Sequence, residues 1–114
     1  MAPSRFVWTI FDKEETAIGL FFLFVERDVA EIHFGIGPSH WGQGLVTEAG
    51  TAVINWIVTK SNIAEVRKSC AAEHQASLRV LEKIGLERAA FHPSSLFLSA
   101  TQAQADAWHY RWKR

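Results

Sequence analysis

The chain has 114 residues, which is one small domain whose core has little stability to spare. Lys plus Arg and Asp plus Glu both number 12, so the formal charge is zero and the basic footprint of a nucleic-acid binder is missing; the run 111–114 reads as a solvated strand end. The lone Cys70 excludes an internal disulfide and a Cys-rich zinc site, and the five His show no ligand spacing, so no metal is expected.

Residues 1–6 carry neither the charged nor the apolar part of an export signal, and a cytoplasmic protein is expected. Residues 5–11 are apolar and β-rich; Asp12, Lys13, Glu14 and Glu15 break them. Residues 17–25 are apolar except at Gly19, which suits a strand buried on both faces and is too short to span a bilayer as a helix. These two segments predict a hairpin. Residues 30–36 alternate: Ala30, Ile32, Phe34 and Ile36 on one side, Glu31, His33 and Gly35 on the other. A glycine within such a strand predicts a bulge or a close backbone approach at Gly35.

Residues 47 to about 60 have helical periodicity through Val46, Ala49, Val53 and Trp56 or Ile57. A mixed strand follows over 64–72, then a helix over about 75–84 with Leu78, Leu81 and Ile84 inward, and Gly85 is placed to cap it. Residues 86–91 and 106–112 predict two closing strands, separated by a turn signal at His92, Pro93, Ser94 and Ser95. The order β-β-β-α-β-α-β-β departs from strict βαβ alternation. It predicts an α+β fold over residues 1–114, a mixed sheet with a helix on each face. The aromatic group Phe6, Trp8, Phe11, Phe21, Phe22 and Phe24 is expected in the core and at an interface. Cys70 reads as a small buried filler and Tyr110 as a packing residue.

The segment Trp41-Gly42-Gln43-Gly44-Leu45-Val46-Thr47 joins a strand to a helix. Gly42 and Gly44 lack a Cβ, so successive N–H groups can turn toward one anion. The helix behind them adds unpaired N–H groups and the positive end of its dipole, and Thr47 can offer a hydroxyl. A nucleotide P-loop is excluded, because no Lys-Ser or Lys-Thr pair follows the second glycine. A tight strand-to-helix turn with no ligand would also use such glycines.

The run Ala30-Glu31-Ile32-His33-Phe34-Gly35-Ile36-Gly37-Pro38-Ser39-His40-Trp41-Gly42-Gln43-Gly44-Leu45-Val46-Thr47-Glu48-Ala49 resembles the GNAT superfamily of acyl-CoA-dependent N-acyltransferases, most of all the branch that acetylates ribosomal-protein N-termini. Ala76-Ser77-Leu78-Arg79-Val80-Leu81-Glu82-Lys83-Ile84-Gly85-Leu86 is similar to the family's last helix. The resemblance runs from Arg5 onward. The strand and two helices that ordinarily precede that point in the family have no counterpart in this sequence, so the fold it implies is a GNAT-like one shortened at its start. His74 stands where the family has an Asn on the pantetheine arm, and Ser39 where the general motif has Gln or Arg.

The resemblance implies acetyl-CoA as co-substrate and a primary amine, either a small amine or a peptide N-terminus, as acceptor, joined by direct attack. Its pyrophosphate would lie on Trp41, Gly42, Gln43, Gly44, Leu45, Val46 and Thr47. The pantetheine arm would follow Phe34, Gly35 and Ile36, with His74 and Ser77 along it. Glu31 or His33 would take the amine proton, and Ser77 would donate to or orient the sulfur. A module that holds coenzyme A without transferring its acyl group, or a dimeric interaction protein, is the alternative. The strand over 5–11 becomes an apolar edge that a second copy would cover, so a homodimer is expected, without nucleic-acid or membrane partners.

Overall fold

The computed structural model describes residues 4–40, 42–98 and 103–114. Their elements are β1 (Ser4–Phe11), β2 (Ala17–Glu26), β3 (Val29–Ile36), a single 3-10 turn (Pro38–His40), α1 (Leu45–Lys60), β4 (Glu65–Ala71), α2 (Gln75–Lys83), β5 (Glu87–Leu98) and β6 (Ala103–Lys113). The order is the expected one. The six strands form one mixed sheet, β1-β2-β3-β4-β6-β5, in which only β3 and β4 run parallel. A parallel pair needs a crossover, and α1 supplies it.

Period-two alternation sorts the side chains. Phe6, Trp8 and Ile10 on β1, Phe21 and Leu23 on β2, Ala30 and Ile32 on β3, Val66 and Cys70 on β4, and Tyr110 on β6 all belong to or pack against one core. The aromatic group divides along the same line: Phe6, Trp8 and Phe21 join the core, while Phe11, Phe22 and Phe24 do not. Trp8 meets Trp56 of α1 edge-on, with ring centroids 6.1 Å apart.

Both helices cover the same face of the sheet, which corrects the expectation of one on each. Val53, Ile54 and Ile57 of α1 and Leu78 and Leu81 of α2 enter one core cluster. Gly50 of α1 is close enough to Ile84 that a Cβ there would stand 3.0 Å from its side chain. The reason is geometric: the residues that both helices bury against, Phe21, Val66 and Tyr110, have the same strand parity across the whole register. The opposite face carries Val7, Leu20, Phe22, Phe24, Glu31, His33, Arg67 and His109, and no helix among the described residues covers it.

Several local expectations are met and others are not. Gly85 has φ 106° and ends α2 with Leu86 N–H donating to the Leu81 carbonyl and Gly85 N–H to that of Glu82, the Schellman pattern. Gly35 makes no bulge, because the β2–β3 register is unbroken; the crowded position is Gly19, whose absent Cβ would meet the Gly35 carbonyl. The turn expected at His92, Pro93, Ser94 and Ser95 is instead an irregularity inside β5, where the register to β6 shifts between His92 and Leu96. The strand end at 111–114 is not merely solvated. Arg114 donates hydrogen bonds to the carbonyls of Ile57, Val58, Ser61 and Ile63, fastening β6 to the end of α1.

Candidate active site

The site forms where β3 and β4 part. Their pairing covers only Val29 with Glu65, Ala30 with Val66 and Glu31 with Arg67. Beyond Glu31, β3 continues to Ile36 paired with β2, and β4 continues to Ala71 paired with β6. The two strands are therefore neighbours without a ladder, leaving a split at the end where the chain turns into α1. Phe34, Gly35 and Ile36 line the β3 side; Phe34 is stacked on Phe21, with centroids 5.8 Å apart.

The bend between β3 and α1 holds Gly42 and Gly44 at φ 79° and 75°, a region that residues with a Cβ seldom enter. Gly44 occupies the N-cap position of α1 and gives no side-chain cap. The first helical bond runs from Glu48 N–H to the Gly44 carbonyl. Among the described residues, the N–H groups of Gly42, Gln43, Gly44, Leu45 and Val46 have no hydrogen-bond acceptor. A Cβ built at either glycine would meet nothing within 4 Å, so there is open space beside the bend. Five unpaired donors and a helix dipole at one opening suit an anion with several oxygens. Thr47 follows in the first turn, half-buried, and its carbonyl accepts from Thr51 Oγ1. Trp41 lies outside the described residues.

A second loop steadies this bend. Asp12 accepts hydrogen bonds from the N–H groups of Glu14 and Thr16 at 2.9 Å each, and its other oxygen lies 3.6 Å from His40 Nε2. His40 is also 3.1 Å from Ser39 Oγ. The bond from Thr16 above all holds the Asp12 carboxyl below its ordinary pKa, with Glu14 and His40 adding to it against desolvation.

On the open face of the sheet, Glu31 and His33 are brought together as the alternation requires. His33 Nε2 lies 2.7 Å from Glu31 Oε1, and its ring meets Phe24 edge-on at 5.3 Å. The other ring nitrogen, Nδ1, is 3.2 Å from Nζ of Lys68. An ammonium has no acceptor capacity, so it donates to Nδ1, and Nε2–H donates to Glu31. Lys68 is absent from the site residues that sequence reasoning selects. The one available signal was its place between Val66 and Cys70 in an otherwise inward row.

Ser77 is half-buried in the first turn of α2, on the helix-covered side where Cys70 also lies. Burial pushes the Cys70 thiol above its ordinary pKa, opposed by Lys68 and by Ser77. Cys70 is thus buried as expected, and Lys68, two residues before it on the same side of β4, is its cationic neighbour. His74 is exposed and caps α2 with its carbonyl, which accepts from Leu78 N–H at 3.1 Å, and not with its ring. Glu31 and His33 therefore form one group with Lys68, while Ser77 lies on the opposite, helix-covered side and apart from them.

Known proteins share this arrangement of elements. The solved ribosomal-protein-S5-alanine acetyltransferase from Vibrio fischeri superposes with a TM-score of 0.87 at 18% identity, over 96% of this chain and 61% of that one. The dodecameric spermidine N-acetyltransferase from Vibrio cholerae gives 0.83 at 18% identity, over 96% and 64%. In sequence, the uncharacterized N-acetyltransferase YnaD of Bacillus subtilis (strain 168) is 28% identical over 80 residues, 68% of this chain and 47% of that protein. The chain spans less than half the length of the curated relatives it matches. The acetyltransferase (GNAT) domain family matches residues 1–87. The chain belongs to the GNAT acetyltransferase domain family.

Proposed function

We propose that this chain transfers the acetyl group of acetyl-CoA to a primary amine, a small amine or a peptide N-terminus, by direct attack. The observation that carries this reading is the bend at Gly42 and Gly44. Its donors are unpaired among the described residues, there is open space beside it, and it sits at the end of the strand that leaves β4. Gly42, Gln43, Gly44, Leu45, Val46 and Thr47, with Trp41, would hold the pyrophosphate. The arm would then follow Phe34, Gly35 and Ile36 into the split, with His74 at its side, and bring the thioester between the Glu31–His33 pair and Ser77.

With both reactants held there, positioning supplies much of the rate. A backbone N–H at the end of β3 would meet the carbonyl oxygen as negative charge develops on it. Glu31 and His33 lie on the open face and serve the removal of the amine's protons, directly or by relay through a neighbouring group. Ser77, on the covered side, orients or protonates the sulfur.

Titration calorimetry with acetyl-CoA, followed by thiol release over a panel of polyamines and short peptides, tests the reading. Binding without thiol release would leave a coenzyme-binding module, and no binding would remove the proposal. Loss of thiol release in Glu31→Gln or Ser77→Ala with binding intact supports a chemical role for each.

The reading includes a homodimer. Val7 and Phe11 are 55% and 56% exposed on the edge strand β1, and Leu20 and Phe24 continue the apolar surface on β2. Covering that surface with a second copy would bury it. A clean monomer by light scattering at micromolar concentration would exclude this part. A cytoplasmic setting agrees with the free, buried Cys70.

A further inference from the structure

We propose that Lys68 is the base that receives the proton of the attacking amine and hands it to the leaving thiolate, and that His33 and Glu31 carry out to solvent the proton Lys68 must first lose; this rests on the acetyl-transfer reading above. Lys68 belongs to the helix-covered face, in the row Val66, Lys68, Cys70 and opposite the fully buried Tyr110. His33 belongs to the other face. Their 3.2 Å contact therefore requires the lysine side chain to pass between β3 and β4 where the ladder has stopped. That passage is the same split the thioester would enter. A lysine kept only for packing would carry its ammonium out to water; this one ends on an imidazole.

The polarity of the contacts is uniform. The ammonium donates to Nδ1, and Nε2–H donates to Glu31, whose side chain is 59% exposed. One shift along both bonds leaves a neutral Lys68, a His33 protonated at Nδ1, and a protonated Glu31 that can give its proton to water. Lys68 is then ready to act. The amine lone pair forms the C–N bond at the thioester carbonyl, the C–S pair leaves with sulfur, and the proton lost from nitrogen goes to Lys68 Nζ. Lys68 returns a proton to the thiolate. An acceptor that arrives as an ammonium loses its extra proton to water before it attacks.

The groups facing Lys68 are Cys70 and Tyr110 on the covered side and His33 and Glu31 on the open side; the Tyr110 hydroxyl is already engaged with Glu82 and Arg88. Burial holds the Lys68 ammonium below the usual lysine range, while Cys70 and Glu31 pull the other way.

The test compares Lys68→Met, Lys68→Arg and His33→Gln in the full chain by thiol release from acetyl-CoA, with acetyl-CoA binding measured by calorimetry. A guanidinium keeps a donor for His33 but does not give up its proton, so both lysine variants should lose roughly 100-fold or more in kcat while still binding acetyl-CoA. Recovery in Lys68→Arg, or unchanged turnover in Lys68→Met, would overturn the role of Lys68 and leave acetyl transfer standing. A second readout needs no acceptor. In an NMR titration of lysine Nζ and His33 ring nitrogens, Lys68 should titrate below the other lysines and shift the His33 ring as it does so. Titration of Lys68 together with the other lysines, with no response at His33, would equally overturn it.

Discussion

The Cβ that Gly19 lacks would stand 2.3 Å from the carbonyl oxygen of Gly35 on the neighbouring strand. The obstacle is backbone, so no rotamer change relieves it. Gly19→Ala should destabilise the fold by about 1–3 kcal/mol, as overpacking does. It should also push Gly35 away and weaken acetyl-CoA binding. Thermal denaturation with calorimetry checks both; a melting temperature equal to the wild type would show that the strands yield freely.

Gly42→Ala tests a different kind of glycine. Space around its missing Cβ is open, so the cost is conformational, about 1–2 kcal/mol for holding φ near 79°. The methyl group would also stand in the proposed pyrophosphate cradle. Acetyl-CoA affinity should fall about tenfold or more, equal to about 1.4 kcal/mol, beyond any change in stability. Unchanged affinity would place the diphosphate elsewhere.

Arg114 joins the last strand to four carbonyls at and after the end of α1. Positive charge at a helix C-terminus is favoured by the dipole, and the guanidinium fork reaches several acceptors at once. Arg114→Ala should cost about 1–2 kcal/mol in chemical denaturation. Arg114→Lys should recover less than half of that, since an ammonium cannot reproduce the fork. Full recovery by lysine would reduce the effect to charge alone.

Asp12 gives the fold a pH dependence of known sign. Its folded pKa is lowered, first by the hydrogen bond from Thr16 and then by Glu14 and His40. Its stabilisation is therefore complete above the unfolded carboxylate value and is lost as pH falls through the folded value. Asp12→Asn should lower stability at neutral pH and flatten the acid limb of the stability curve. Melts recorded from neutral to acid pH test this; parallel curves for the two proteins would deny the linkage.

What could be read from the sequence was local. Alternation over residues 30–36 gave the strand and put Glu31 and His33 on one side, because a pleat fixes side-chain direction residue by residue. Gly85 was legible as a helix cap and Gly42 and Gly44 as a bend before the first helix, and all three have positive φ, since such a conformation is a property of the position and its neighbours. The family resemblance in 30–49 and 76–86 lies in those same short stretches, and residues 1–87 match the family.

Tertiary structure alone decided the rest. Lys68 and His33 are 35 residues apart, and Arg114 and Ile57 are 57 apart. Whether such pairs meet depends on which strand lies beside which and where a ladder ends, and no local pattern encodes that. The same holds for the two helices sharing one face, which follows from the parity of the whole sheet register. Period and backbone handedness are fixed within a few residues of chain, whereas the split between β3 and β4, and the lysine that crosses it, exist only once distant segments have packed together.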